Sequence, residues 1–290
     1  MRTFTYDVEC YRNYFLVAFE DVETREVFRF ELREKDIRFE REVRVEIHKL
    51  MCNSTFVGYN SSKYDILIVW AALCCKTANE LKNISDDIIH NYHTPWNFCQ
   101  NLGLKDIHQY DNHIDLAPYL KPSQDKKPPS LKTCAGRLFA PKMQDLPYDP
   151  HIILTSEQQD IVRDYNMNDL DVTRRLLLRL RTEYKLRTDM SHEYGLELRS
   201  KSDAQIAEAI IKIELERLKG SRVLKPDFDE NYTFKYKAPS FLKFENPILK
   251  DIMLKLDNHI FSLNEKARVE LPDFVKQPFD FYGSSYQMGI

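Results

Sequence analysis

The sequence predicts an α/β protein with a mixed central sheet and flanking helices. Three observations carry this: an opening rich in strand-forming residues, an alternation of helical and strand-like segments after it, and an apolar content of 43% in 290 residues, enough to bury a core in one or two domains. Residues 3–9, 14–20 and 26–32 read as strands, rich in aromatic and β-branched side chains and separated by the polar breaks Tyr11-Arg12-Asn13 and 21–25. Such closely spaced strands predict an antiparallel meander. Residues 38–51 alternate charges with Val43, Val45, Ile47 and Leu50, which suits an amphipathic helix returning to a short apolar strand at 55–59. A helix followed by a strand implies a crossover. A helix over about 64–75, two further helical stretches before Gly103 and a short strand at 113–116 continue the alternation.

Residues 121–142 differ in kind. They hold Pro122, Pro128, Pro129 and Pro141, and six basic residues against the single acid Asp125, so they read as a basic surface excursion. Thr155-Ser156-Glu157 is an N-cap pattern opening a long helix to about Arg187, and Ser202-Asp203 opens another that ends before Gly220. The rest is aromatic and Pro-punctuated, with one helix expected after Pro247. Two domains are expected, residues 1–190 and a helical, aromatic extension over 191–290.

Charge and composition exclude several function classes. Lys and Arg number 42 against 45 Asp and Glu, a net charge of −3, so binding of nucleic acid through bulk charge is excluded and any such contact must be local. Only 7 glycines are present and no G-x-G-x-x-G or G-x-x-x-x-G-K-[ST] occurs, so phosphates would have to be met by metal ions or basic side chains. The six cysteines form no C-x-x-C pair, which speaks against a zinc finger, and the first residues lack a signal-peptide apolar run. No stretch approaches 18 uninterrupted apolar residues, so no membrane partner is expected and a reducing, cytoplasmic setting is.

Asp7 and Glu9 sit two apart on the first strand, which puts both carboxylates on one face, where a divalent cation could be held. Read alone, such pairs are common and usually solvated. In Phe56-Val57-Gly58-Tyr59-Asn60-Ser61-Ser62-Lys63-Tyr64-Asp65 an apolar strand ends in a polar turn and Asp65 opens a helix; in isolation Asp65 is an N-terminal acid stabilised by the helix dipole. Tyr165 and Asp169 lie four apart on a helix, phenol above carboxylate on the same face, although Asp164 and Asp171 are equally placed to pair with Arg163, Arg174 and Arg175. Asp115, on the apolar strand at 113–116, reads as structural. From Thr173 to Arg187 six basic residues face one acid, a band that reads as the solvated side of a helix whose Leu176, Leu177 and Leu180 face the core.

Together these elements, D-x-E, G-x-N-x-x-x-Y-D and Y-x-x-x-D in that order, resemble the DEDD superfamily of 3′–5′ exonucleases. GYNSSKYD is similar to the proofreading domain of family B DNA polymerases, and Ser130-Leu131-Lys132 with QDLPYDP at 144–150 resemble that family's phage members. No histidine lies five residues before an aspartate, so the resemblance is to the tyrosine subtype. It implies a ribonuclease H-like exonuclease fold and a metal-dependent hydrolysis of single-stranded DNA from the 3′ end with two Mg²⁺ or Mn²⁺ ions. By the same resemblance Asp7 bridges both ions, Glu9 and Asp169 bind the ion that activates water, Asp65 holds the second ion through water, and Tyr165 orients the attacking water. Asn60, Tyr64, Ser130, Leu131 and Lys132 contact the strand, with Cys134 as the apolar residue of the last motif. Polymerase motifs of the D-x-x-S-L-Y-P and D-T-D kind are absent, while the final residues resemble a connector to a polymerase part, so a polymerase domain or subunit is an expected partner and a host-cell cytoplasm the expected setting. An RNA 3′-end trimming exonuclease and a non-catalytic strand-binding or docking module are the alternatives; the full set of acids with Tyr165 speaks against the second.

Overall fold

A computed structural model describes residues 2–91, 98, 112–120, 128–224, 232–264, 268–281 and 283–286. The second helical stretch expected before Gly103, the part of the basic excursion at 121–127 and the last four residues lie outside the described residues. The chain divides into two compact units, Met1–Gly220 and Ser221–Ile290.

In the first unit β1 (Arg2–Tyr11), β2 (Tyr14–Asp21) and β3 (Val27–Leu32) form the antiparallel meander. Helix α1 (Arg41–Cys52) crosses over to β4 (Ser54–Gly58), which pairs parallel with β1, and β5 (His113–Asp115) pairs parallel with β4. The five strands form one mixed sheet in the order β3-β2-β1-β4-β5. Helices α2 (Asp65–Leu73) and α3 (Ala78–Asn91) follow β4, and α4 (Leu131–Arg137) precedes the long α5 (Ser156–Arg179). Next come α6 (Arg181–Tyr194) and α7 (Asp203–Lys219).

The period of two along β1 sorts the core. Phe4, Tyr6, Val8 and Cys10 join Phe15, Val17 and Phe19 of β2 in a cluster with α2 residues such as Leu67 and Ile68, while Tyr11, Tyr14, Leu16 and Ala18 join Val162 and Leu170 of α5 on the opposite face. Asp7 and Glu9 therefore face α5. That helix begins where the sequence predicts, with Thr155 and Gln158 forming a reciprocal capping box. Asn13, in the β1–β2 turn, fixes its approach: the Asn13 amide donates to the Leu154 carbonyl and accepts the Leu154 N–H, both at 2.8 Å.

The predicted single helix to Arg187 is two. It breaks at Leu180, whose side chain is buried with Leu176 and Leu177 while its backbone leaves helical dihedrals (φ −93°, ψ 12°). The following helix is drawn in by Arg187, a buried guanidinium that lies 3.9 Å over the Tyr119 ring and donates to Asp203 at 2.7 Å. Most of the basic band is partnered by carboxylates: Arg174 and Arg175 pair with Asp171, and Lys185 with Asp189.

The second unit begins at Ser221. It holds the ladder β6 (Thr233–Lys235) with β7 (Ile260–Ser262), helix α8 (Pro247–Asn258) capped by Asn246, the short helix α9 (Asp273–Lys276) and the ladder β8 (Phe279–Phe281) with β9 (Ser284–Tyr286). No helix among the described residues is long and apolar enough to cross a membrane.

Candidate metal centre

Parallel pairing of β4 with β1 stops at Thr5, so the rest of β1 on that side presents an unpaired edge. The segment after β4 fills it. Gly58 ends the strand, a 3-10 turn at Ser61–Lys63 follows, and Asp65 at the start of α2 accepts the Val8 backbone N–H. Three supports hold this turn. The Asp115 carboxylate accepts the N–H groups of Asn60 (2.8 Å), Ser62 (3.0 Å) and Ala117 (2.9 Å), which makes its structural role explicit. His113 Nε2 lies 2.9 Å from both the Ser61 and Tyr6 hydroxyls, and burial pulls its pKa down to about 4. Tyr64 packs its ring against the core and shares a 2.7 Å hydrogen bond with Ser85 of α3.

The turn demands glycine at 58. A Cβ there would press against Ser61 Oγ and Cβ and lie 2.9 Å from Tyr6 Cε1. Gly58→Ala is expected to cost about 1–3 kcal/mol through this overpacking and to shift Asp65 off the β1 edge. A thermal melt with a parallel divalent-cation titration checks this; an unchanged melting temperature with unchanged cation affinity would contradict it.

Across β1, α5 supplies the other half of the site. Ligand oxygens of Asp7, Glu9 and Asp169 all lie within 4.8 Å of one another, with Glu9 buried and the other two half-buried. Asp65 stands outside that tight set but close enough to raise the pKa of Asp7 by charge repulsion. Burial first, and then mutual repulsion, push the Asp7 and Glu9 carboxyls well above the ordinary carboxylate range. Burial brings Asp65 to about 7 and Asp169 to about 6. The Tyr165 hydroxyl hydrogen-bonds Asp169, and burial beside these acids raises its pKa.

Asn166 is the residue sequence reading missed. It is wholly buried, its Nδ2 donates to Asp7 Oδ2 at 2.7 Å, and its side chain also hydrogen-bonds Glu9. Its position offered a signal: three residues before Asp169, it shares that helix face. Its Oδ1 is buried with no hydrogen-bond partner.

Hard divalent cations take carboxylate oxygen, and gathered carboxylates with raised affinity for protons fit such an ion. Beside the acids a cleft of about 280 Å³ is lined by Ser130, Leu131, Lys132, Asp145, Tyr165 and Asp169, so the predicted S-L-K segment and the Y-x-x-x-D pair share one concavity. Tyr59 ties the two sides: its hydroxyl donates to the Pro129 carbonyl and accepts from the Cys134 thiol at 3.9 Å. Lys132 pairs with Asp145 at 2.6 Å, an exposed pair that contributes little to stability. Asn60, exposed and left-handed (φ 55°), lines a separate cleft of about 730 Å³ with Tyr119, Pro128 and Gln205. No family model, no curated protein and no solved structure matches this chain.

Proposed function

We propose that the protein is a metal-dependent 3′–5′ exonuclease that hydrolyses single-stranded DNA from its 3′ end, of the tyrosine type within the DEDD superfamily. The observation that carries the reading is the convergence of Asp7, Glu9 and Asp169 within 4.8 Å, with the Tyr165 hydroxyl on Asp169 and Asp65 alongside. Residues from positions 7 to 169 meet there, in the order of the sequence motifs. The mixed sheet, antiparallel across β1–β3 and parallel across β1, β4 and β5, supports the ribonuclease H-like exonuclease architecture.

Asp7, Glu9 and Asp169 would hold the first of two Mg²⁺ or Mn²⁺ ions, with Asp7 and Asp65 toward the second. When bound, such ions neutralise charge on the phosphate and favour hydroxide as the nucleophile. Asn166 fixes the Asp7 carboxylate. Tyr165, which stays protonated, keeps one hydroxyl able to donate to Asp169 and to accept from a water held for attack on the phosphorus. Ser130, Leu131 and Lys132 wall the cleft that receives the strand. A role as the proofreading partner of a phage-type family B polymerase domain or subunit belongs to the same proposal.

Incubating 5′-labelled single-stranded DNA and RNA with the protein and Mg²⁺ or Mn²⁺ tests it. A ladder shortening from the 3′ end, faster on DNA, is expected; no shortening, or release from the 5′ end, would overturn the reading. Tyr165→Phe is expected to lower kcat by roughly 10–100-fold with little change in KM, since it removes one hydrogen bond to charged partners in the transition state. Unchanged kcat in single-turnover measurements would remove the water-orienting role.

A further inference from the structure

Helix α4 carries the cleft residues at its start and an unusual residue at its end. The Phe139 N–H bonds the Gly136 carbonyl at 3.2 Å and the Ala140 N–H bonds the Ala135 carbonyl at 3.0 Å, while Phe139 itself is left-handed with φ 51°. Glycine is the ordinary occupant of that position in a helix-terminating turn, because it carries no Cβ penalty. Here a phenyl ring stands there 91% exposed, so packing does not offset the strain. An exposed aromatic kept in place at a cost to the backbone points to a use outside the fold.

The surroundings say what kind of use. Arg137 and Lys142 stand two residues before and three residues after Phe139 in the chain, both exposed, and among the described residues neither pairs with a carboxylate, unlike most of the basic band beyond Asp169. Met143 folds back over α4, where a Cβ on Gly136 would come 3.2 Å from its Sδ and Cε. The chain then reaches Gln144, Asp145 and Leu146 on the cleft wall. The ring and the cleft are thus two ends of one wall, about 10 Å apart by helical rise, or about three stacked nucleotides.

We propose that Phe139 is a stacking platform for a base upstream of the 3′ end, with Arg137 and Lys142 holding the adjacent phosphates. This rests on the strand-degrading reading above and adds to it the length of strand that the protein grips. An exposed ring with carboxylate-free cations two and three residues away matches single-stranded nucleic acid, whose every base has a face to stack.

The test compares wild type, Phe139→Gly and Phe139→Trp for binding of fluorescein-labelled dT3 and dT12 in Ca²⁺, with cleavage ladders in Mg²⁺ and thermal melts alongside. Phe139→Gly is expected to weaken dT12 binding by about 5–50-fold, leave dT3 binding unchanged and raise the melting temperature, while Phe139→Trp keeps dT12 binding. Equal dT12 affinity in wild type and Phe139→Gly, or equal losses for both lengths, overturns the platform. A wild-type dimer lost in Phe139→Gly with dT12 binding intact assigns the ring to a second copy and also overturns it. If dT12 binding depends on Phe139 but no strand is shortened, the platform stands and the nuclease reading fails. Cleavage of every length unaffected by Phe139→Gly leaves the nuclease and removes the platform, and wild type that binds neither length overturns both.

Discussion

Replacing Asp7 and Glu9 together by alanine is expected to lower Mg²⁺-dependent strand cleavage by about 10³-fold or more. A bound divalent ion contributes several kcal/mol to the transition state, and each 1.4 kcal/mol is about tenfold in rate. The two side chains supply two of the three carboxylates that meet within 4.8 Å, and the remaining Asp169 cannot hold a hard cation alone. Strand affinity should survive in part, because the cleft residues Ser130, Leu131 and Lys132 are untouched. Quenched-flow rates with saturating 5′-labelled strand give the comparison, and Mg²⁺-dependent cleavage retained in the double variant would remove the site assignment.

Asp65→Asn is expected to stabilise the metal-free protein at neutral and alkaline pH. Burial raises the Asp65 pKa to about 7, above its value in the unfolded chain, so the folded state binds the extra proton between about pH 4 and 7. Folded-state stability is therefore lost as pH rises through that window. The asparagine variant escapes the loss: its advantage is absent near pH 4, grows to on the order of 4 kcal/mol by pH 8, and corresponds to a melting temperature higher by roughly 8–16 °C. Its carboxamide oxygen can still accept the Val8 N–H. Saturating Mn²⁺ should reverse the order, since the ion stabilises whichever protein binds it more tightly. Melts from pH 4 to 8, with and without Mn²⁺, check this; a difference independent of pH would contradict it.

The fold was legible where periodicity is strong. Alternation in β1 to β3 predicted both the meander and which face Asp7 and Glu9 share, and Thr155 announced the start of α5 through its N-cap pattern. The break at Leu180 was not legible, because no proline or glycine marks it; the burial of Leu180 and the docking of Arg187 on Tyr119 are tertiary effects. The site was readable as a set of residue types in order, but its supports were not. Asp115, His113 and Tyr59 act through contacts with partners more than 50 residues away, such as the 55-residue separation of Asn60 and Asp115, which no local pattern encodes. Tyr64 shows the same limit: its place beside Asp65 suggests a base platform, whereas its ring lies against the core and its hydroxyl meets Ser85. Asn166 has only its helix face as a signal, and its bond to Asp7 requires β1 and α5 to pack face to face.

Titration with Mn²⁺ at pH 7.5, following the electron paramagnetic resonance of the free ion, measures whether these acids gather a cation. Saturable binding is predicted, competed by Mg²⁺, lost when Asp7 and Glu9 are both alanine, and weakening below about pH 6–7 as Asp169 and Asp65 take up protons. Failure of the wild type to bind Mn²⁺, or binding that is the same in the double variant, would contradict the account.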